Sequence, residues 1–324
     1  ARDLATNKTF SFDYPKISVW PDAYLLTSLR DFPTSGQDVW ALNREAMMTG
    51  SGITPVRIFV PGWTLFLMPA DLDGAPPEPG TPGYFARMVD GDRFGGPDRI
   101  EVFSLAIDWS NPAGFTLDKL VELSTEFFQS DHCGPEFLAP CIAQLGSPQL
   151  LESLQALLMW RLQYRNFGSH ESLVLNHTIR NGDTDRTAIR WYELRKLPAQ
   201  PWAIFQHGTL SDGQRSLWMG SIAMNQKGDI ALGYSTSSQL EFPAIRIDGR
   251  LLADQPGAMP QNEFTAMAGT GAQLIDNERW GDYSSMDVDP ADDCTFWYTG
   301  QYYPVSSLAG WRTQIISFRL AGCE

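Results

Sequence analysis

The densest cluster of polar side chains able to carry out chemistry lies between residues 161 and 177. It contains Arg161, Arg165, His170 and His177, and Tyr283 from a later segment completes the set of catalytic candidates. Arginine can neutralise the carboxylate of a uronic acid while histidine or tyrosine transfers a proton, so this set could support β-elimination on an acidic glycan. We favour the structural alternative, because arginine and histidine also satisfy buried carbonyl and carboxylate groups.

A second cluster, Arg279, Trp280, Asp282 and Tyr283, precedes the last repeat of the chain. Aromatic rings that stack on a sugar, together with polar groups that bind its hydroxyls, are typical of carbohydrate sites. These four residues are therefore the candidate ligand-binding site. The alternative is that Asp282 caps backbone amides of a neighbouring element.

Two acidic runs offer clustered carboxylate oxygens of the kind that Ca²⁺ prefers. Asp71 and Asp73 lie in the first run, and Asp289 and Asp292 lie in the second. Neither run matches the EF-hand loop, which requires further ligands and a distal glutamate. Solvated turn carboxylates are the simpler interpretation, and calcium is the one cofactor that the sequence suggests.

Motifs of several common enzyme classes are absent from the sequence. It contains no GxSxG nucleophile elbow, no GxxxxGK[ST] phosphate loop and no GxGxxG dinucleotide fingerprint. The sequence therefore leaves open whether the protein is an enzyme, and it favours a non-catalytic role.

The elements that position these residues are predicted to be short strands. Aromatic residues make up 12% of the chain, and 28 glycines and 22 prolines favour strands and turns over long helices. The clearest internal repeat pairs segments 221–235 and 285–299, which align without a gap as strand, polar turn and strand. Weaker copies of this pattern lie at 17–28, 63–89 and 173–178.

About five such units of roughly 65 residues predict an all-β fold, a β-propeller whose blades surround a channel. We expect a single domain with blades near 13–50, 63–112, 159–211, 216–259 and 280–324. An insertion with short helices is expected at 116–158, where apolar residues follow helical spacing around 117–128 and 150–158. Five blades can close a ring, but we favour the C-terminal part of a larger, seven-bladed propeller, because a blade begins almost at once.

The four cysteines predict two disulfides. Cys133 and Cys141 bracket a short loop, whereas Cys294 and Cys323 flank two β-like runs whose turn is centred near residues 308 and 309. An antiparallel hairpin in that register places Cys294 opposite Cys323. Disulfides indicate an oxidising compartment, so we expect a secreted or cell-surface protein. A metal site is the alternative, but no CxxC or HxxxH spacing supports it.

Charge and hydropathy argue against two classes of partner. The 324 residues include 24 Lys and Arg against 38 Asp and Glu, a formal net charge of -14, which repels nucleic acids and anionic bilayers. No apolar run approaches the length of a membrane span. We therefore expect neither nucleic-acid binding nor a membrane span.

Five segments carry a family resemblance. They are RWGDYSSMDVDPADDCTFWYT at 279–299, YRNFGSHESLVLNH at 164–177, RWYE at 190–193, WMGSIAM at 218–224 and MPADLDG at 68–74. The chain resembles uncharacterised secreted bacterial β-propeller-like proteins over nearly its whole length. This resemblance implies the fold, secretion by a bacterium and further sequence upstream, so an N-terminal fragment of the same precursor is an expected partner. It transfers no catalytic residues.

The leading functional hypothesis is an extracellular binding or surface-assembly module that recognises a glycan or a protein through one propeller face. It follows from a clear scaffold without a recognisable catalytic motif. The alternative is a carbohydrate-active enzyme, a polysaccharide lyase or glycoside hydrolase, that uses the His, Tyr and Arg candidates. A third hypothesis is a structural subunit associated with its own N-terminal fragment.

Overall fold

The computed structural model describes residues 2–3, 8–9, 12–30, 36–62, 66–136, 138–182, 184–275 and 278–323. These residues form 23 strands and two short α-helices, α1 (Arg44–Thr49) and α2 (Gly91–Phe94). Within these ranges, no helix has the length and apolar character needed to cross a membrane. The strands form six sheets, one of eight strands, two of four, one of three and two of two, and this arrangement confirms the predicted all-β propeller.

The strands follow one another in antiparallel sheets, which we call blades 1 to 5. A small hairpin, β1 (Arg2–Asp3) and β2 (Lys8–Thr9), comes first. Blade 1 contains β3 (Phe12–Val19), β4 (Ala23–Arg30), β5 (Gly36–Asn43) and β6 (Val56–Pro61). Blade 2 contains β7 (Met68–Asp73), β8 (Gly83–Val89), β9 (Arg99–Ala106) and β10 (Thr116–Ser124). A second hairpin follows, β11 (Pro140–Gln144) and β12 (Ser147–Glu152).

The remaining three blades complete the chain. Blade 3 contains β13 (Leu162–Asn166), β14 (Glu171–Arg180), β15 (Thr187–Lys196) and β16 (Ala203–Leu210). Blade 4 contains β17 (Ser216–Met224), β18 (Ile230–Ser238), β19 (Glu241–Arg250) and β20 (Gln261–Met267). Blade 5 contains β21 (Ser285–Val288), β22 (Phe296–Tyr302) and β23 (Arg312–Phe318). The inner strands β7 and β13 also pair in parallel, which joins blades 2 and 3 into one eight-stranded sheet.

Several blade boundaries differ from those expected. Blade 1 extends past residue 50, because β6 pairs with β5 as a fourth strand. Blade 2 likewise extends past residue 112, because β10 pairs with β9. The predicted start of blade 2 falls on residues 63–65, which lie outside the described residues.

The repeat at 221–235 and 285–299 corresponds to the first hairpin of blades 4 and 5. The two inner strands lie side by side, since the Met286 amide donates to Ser221 Oγ at 2.8 Å. In blade 4 the last pair before the turn joins Met224 to Ile230, whereas in blade 5 it joins Val288 to Phe296. The alignment without a gap therefore finds both hairpins but misses a longer connection in blade 5.

The first and last blades meet at one end of the propeller axis. Tyr14 in β3 packs edge to face against Tyr283, just before β21, with 5.2 Å between the ring centroids. This contact favours a ring of five blades over the larger propeller. The closure is limited to this end, since Ile17 and Ile315 remain 54% and 64% exposed on the sheet surfaces of blades 1 and 5.

Apolar side chains fill the same end of the axis. They come from the starts of the inner strands and from the segment between blades 2 and 3, which supplies Leu154, Leu157 and Met159. The full cluster is Tyr14, Leu29, Phe66, Ile142, Leu151, Leu154, Leu157, Met159, Trp218, Met219, Trp280 and Tyr303. The segment therefore plugs the propeller rather than standing apart from it.

The helices predicted within 116–158 are wrong. The first stretch forms the outer strand β10, where a bulge between Lys119 and Val121 leaves Leu120 exposed and so imitates helical spacing. The second stretch forms β12 and an irregular run, in which residues 151–159 are all buried. A run that is buried on every side has no periodicity that separates a helix from extended chain.

Both predicted disulfides are present. The Cα atoms are 5.1 Å apart in Cys133–Cys141 and 5.5 Å apart in Cys294–Cys323. The register used to predict the second disulfide is wrong, because the ladder pairs Tyr302 with Arg312. Cys294 therefore lies before β22 and Cys323 lies after β23, so the bond joins the flanking segments instead of facing positions in the ladder.

Candidate functional site

The loop that leads into β21, residues 278–284, carries the predicted ligand-binding residues, and we call it the axial loop. Arg279, Trp280 and Asp282 line one pocket of about 210 Å³, together with Gln301 and Trp311 of blade 5. Trp311 is 56% exposed at this pocket, whereas Trp280 is buried. The structure thus brings three of the four predicted residues together and adds an exposed aromatic ring.

The pocket wall is held by hydrogen bonds and ring stacking. Trp280 donates its indole N–H to Ser235 Oγ at 3.1 Å and stacks on Tyr303 at 5.8 Å. The Gly281 amide donates to Gln301 Oε1 at 3.0 Å, and Arg279 pairs with Asp282. Because these side chains are already fixed, binding of a ligand to the wall would require little further loss of side-chain entropy.

The fourth predicted residue, Tyr283, points to a different neighbourhood. Its ring and that of Tyr14 enclose the Lys16 ammonium, which lies 3.4 Å from each ring centroid. Lys16 is buried, and burial lowers its pKa to about 7, with Asp13 opposing the shift. The Tyr283 ring therefore contributes to the contact between blades 1 and 5.

Glu152 lies beside the axial loop and was missed by sequence analysis. Its Oε2 is 3.4 Å from Arg279 Nε, and its Oε1 is buried without a hydrogen-bond partner in the described structure. Burial raises the pKa of this carboxyl to about 7, although Arg279 opposes the shift. Its position at the end of β12 gave no sequence signal, whereas Trp311 could have been noticed as a tryptophan directly after the predicted turn.

The two histidines among the catalytic candidates do not meet. His170 precedes β14 and stacks on Phe167 at 4.9 Å, whereas His177 lies within β14 and is fully buried. Seven residues of extended strand separate them by roughly 23 Å, because each residue advances about 3.3 Å. Burial lowers the pKa of His177 to about 3, so the side chain is a neutral part of the core.

Arg161 binds both calcium candidates of the first acidic run, and Arg165 binds a neighbouring carboxylate of the second run. Arg161 Nε donates to Asp71 at 2.7 Å, and its Nη1 donates to Asp73 at 2.5 Å. Arg165 pairs with Asp293 from the second acidic run. Although burial alone would raise the pKa of Asp73, the Arg161 charge and hydrogen bond lower it overall. The two acidic runs do converge, but around guanidinium groups.

The other two calcium candidates bind protein donors near the second disulfide. Asp289 accepts from Trp297 Nε1 at 3.0 Å, and Asp292 accepts from the amides of Cys294 and Thr295. Hydrogen bonds from Thr295 hold the pKa of Asp292 below its usual range. The four calcium candidates therefore act as hydrogen-bond acceptors, two of them at Arg161 and the other two near the second disulfide.

No protein-family model and no curated protein matches the chain. Among solved structures, a protein of unknown function from Dyadobacter fermentans aligns with 98% of this chain and 81% of its own, at 12% identity and a TM-score of 0.48. An α-L-arabinanase from Penicillium chrysogenum gives 10% identity, 97% and 94% coverage, and a TM-score of 0.42. An α-L-arabinofuranosidase from Lactobacillus brevis gives 11% identity, 97% and 92% coverage, and a TM-score of 0.42. These likenesses are distant, and no residue role is transferred from them.

Proposed function

We propose that the protein is an extracellular module that binds a glycan through the pocket of the axial loop. The observation that carries this proposal is the exposed Trp311 beside the polar groups of Arg279, Asp282 and Gln301. A ring of this kind can stack on the face of a sugar while the polar groups bind its hydroxyls. The two disulfides support an oxidising, extracellular setting.

An array of bacterial and plant glycans tests whether the intact protein binds any of them. Calorimetry then measures the affinity for each glycan that binds. Removing the ring in Trp311→Ala should weaken binding by roughly 30-fold, because buried aromatic anchors contribute about 2 kcal/mol or more. Trp297→Ala is the matched control, since Trp297 is also exposed on blade 5 and its indole bonds Asp289. The proposal would be contradicted if the protein bound no glycan on the array, or if both variants weakened glycan binding equally.

A carbohydrate-active enzyme is the second candidate, and Glu152 is the observation that favours it. Glu152 keeps its proton near neutral pH, as a general acid must, and contacts Arg279 of the pocket wall, while Asp282 pairs with the same arginine and lines the pocket. Release of reducing sugar from any glycan that binds, lost in Glu152→Gln with binding retained, would support this candidate. If the unaltered protein bound a glycan but did not cleave it, the binding module would be the better description.

A further inference from the structure

A second cavity, of about 540 Å³, lies between blades 3 and 4 on the plugged side of the propeller. Arg180 ends β14, Arg186 precedes β15, and Ser216 and Ser237 lie at the adjoining ends of β17 and β18. The segment between blades 2 and 3 supplies the remaining wall, including Cys141 of the first disulfide. The cavity is therefore built from three separate parts of the fold.

Two arginines give this cavity a local positive charge in a strongly acidic chain. Within the part of the chain that the structure describes, neither Arg180 nor Arg186 is paired with a carboxylate, and Arg180 Nε is buried without a hydrogen-bond partner. Asp185 also lines the cavity, but it is exposed at the rim. The protein therefore leaves the charge of both guanidinium groups without a carboxylate partner at this cavity, where a ligand could supply the acceptor.

His132 adds a second buried group without a partner. The side chain is 7% exposed, one ring nitrogen is 2.6 Å from Ser153 Oγ, and Nδ1 is buried with no hydrogen-bond partner in the described structure. Burial, and then the charge of Arg180, lower its pKa to about 3. At neutral pH the cavity therefore combines a neutral imidazole with two charged guanidinium groups.

The rest of the lining suits a sugar more than a bare anion. Hydroxyl and amide side chains surround the arginines, and Leu240, which is 84% exposed, provides an apolar edge. The polar members are Thr184, Gln214, Ser216, Ser237, Ser238 and Gln239. The volume falls within the range of ordinary small-molecule sites.

We propose that this cavity is a binding site for a carboxylate-bearing saccharide, a uronic-acid glycan, whose carboxylate pairs with Arg180 and Arg186. Planar guanidinium groups match carboxylates with two parallel hydrogen bonds. The acidic remainder of the surface repels anions in general, so an anionic ligand gains from its charge where it reaches these two arginines. The inference rests on the proposed glycan-binding function and names the chemical class of the glycan.

Calorimetry with oligogalacturonate, alginate and glucuronan fragments tests the proposal, with each fragment also presented in carboxyl-reduced, neutral form. We expect the acidic form to bind at least about tenfold more tightly than its reduced form, and added salt to narrow the difference. Arg180→Gln with Arg186→Gln should abolish the difference. Arg312→Gln, an exposed arginine on β23, is the matched control and should retain it.

The outcomes separate this inference from the function on which it rests. Equal affinity for the acidic and reduced forms, or an unchanged preference in the double arginine variant, overturns the carboxylate site. The pocket of the axial loop would still be supported if binding of some glycan depended on Trp311. Competition by inorganic sulfate alone, with no saccharide bound in this cavity, also overturns it. Failure of every glycan to bind contradicts both proposals.

Discussion

Glu152 and Arg279 approach within 3.4 Å, which joins the segment that plugs the propeller to the loop that leads into its last blade. The carboxyl is almost fully buried, and its pKa is raised to about 7 by that burial. The Glu152 carboxyl therefore changes its charge near neutral pH, beside an arginine that lines the candidate pocket.

This raised pKa gives Glu152 a defined effect on stability. Between about pH 4.5 and 7 the folded state binds more protons at this carboxyl than the unfolded state, so its contribution is lost as the pH rises through that window. In the unaltered protein this carboxyl should lower the free energy of unfolding by on the order of 2 kcal/mol across the window, and Glu152→Gln should abolish that decrease. Urea denaturation at several pH values measures it. The exposed Glu45→Gln should leave the profile unchanged.

Lys16 has the opposite pH dependence. Its folded pKa is lowered to about 7 from the ordinary lysine value of 10.5, so the unfolded chain binds more protons between these values and stability rises with pH. Lys16→Met should abolish a rise on the order of 3 kcal/mol between about pH 7 and 9.5. Lys227→Met, on an exposed turn, serves as the control. A profile that Lys16→Met leaves unchanged would show that the ammonium is not enclosed by Tyr14 and Tyr283.

The two disulfides should contribute unequally to stability. They close loops with sequence separations of 8 and 29. On the chain-entropy relation the shorter loop stabilises by roughly 2.5 kcal/mol and the longer by roughly 3.6 kcal/mol. Paired serine variants of each bond, compared by thermal denaturation, test the order. Intact mass before and after reduction checks that both bonds exist, because an unchanged mass would mean that neither forms.

Removal of Arg161 should be costly, since Asp71 and Asp73 would be left without their shared donor. Arg161→Met is expected to destabilise the fold by roughly 3 to 5 kcal/mol, the range for breaking one partner of a buried ion pair. Arg312→Met, on the exposed edge of blade 5, should have little effect. If added Ca²⁺ restored the stability of Arg161→Met, the two carboxylates would be able to hold the cation once the guanidinium is gone.

The sequence predicts the parts of the fold that repeat. The first hairpins of blades 4 and 5 share polar turns and apolar strands, so the alignment of their two segments revealed both hairpins. The positions of the four cysteines identified both disulfides. Prediction failed where one pattern fits two structures. Leu117, Leu120 and Val121 have helical spacing, but a bulge in a strand accommodates them as well.

Site residues were predictable only where neighbours in sequence remain neighbours in space. Arg279, Trp280 and Asp282 lie together because one short loop carries them all. His170 and His177 are close in sequence, but the extended strand between them carries them far apart. Glu152 and Trp311 reach the axial loop from other parts of the chain, and no local pattern marks a contact between such distant segments.

The meeting of Tyr14 with Tyr283 also orders events during synthesis. A ribosome makes the residues around Tyr14 long before those around Tyr283, so blade 1 must wait for its last neighbour while the intervening blades form. During that interval the Lys16 ammonium lacks its second ring and stays hydrated. The contact between blades 1 and 5 therefore forms late, and closing so long a loop is slow compared with folding any single blade. A nascent chain of this protein is consequently most exposed to proteases and to misassembly just before its final blade is complete.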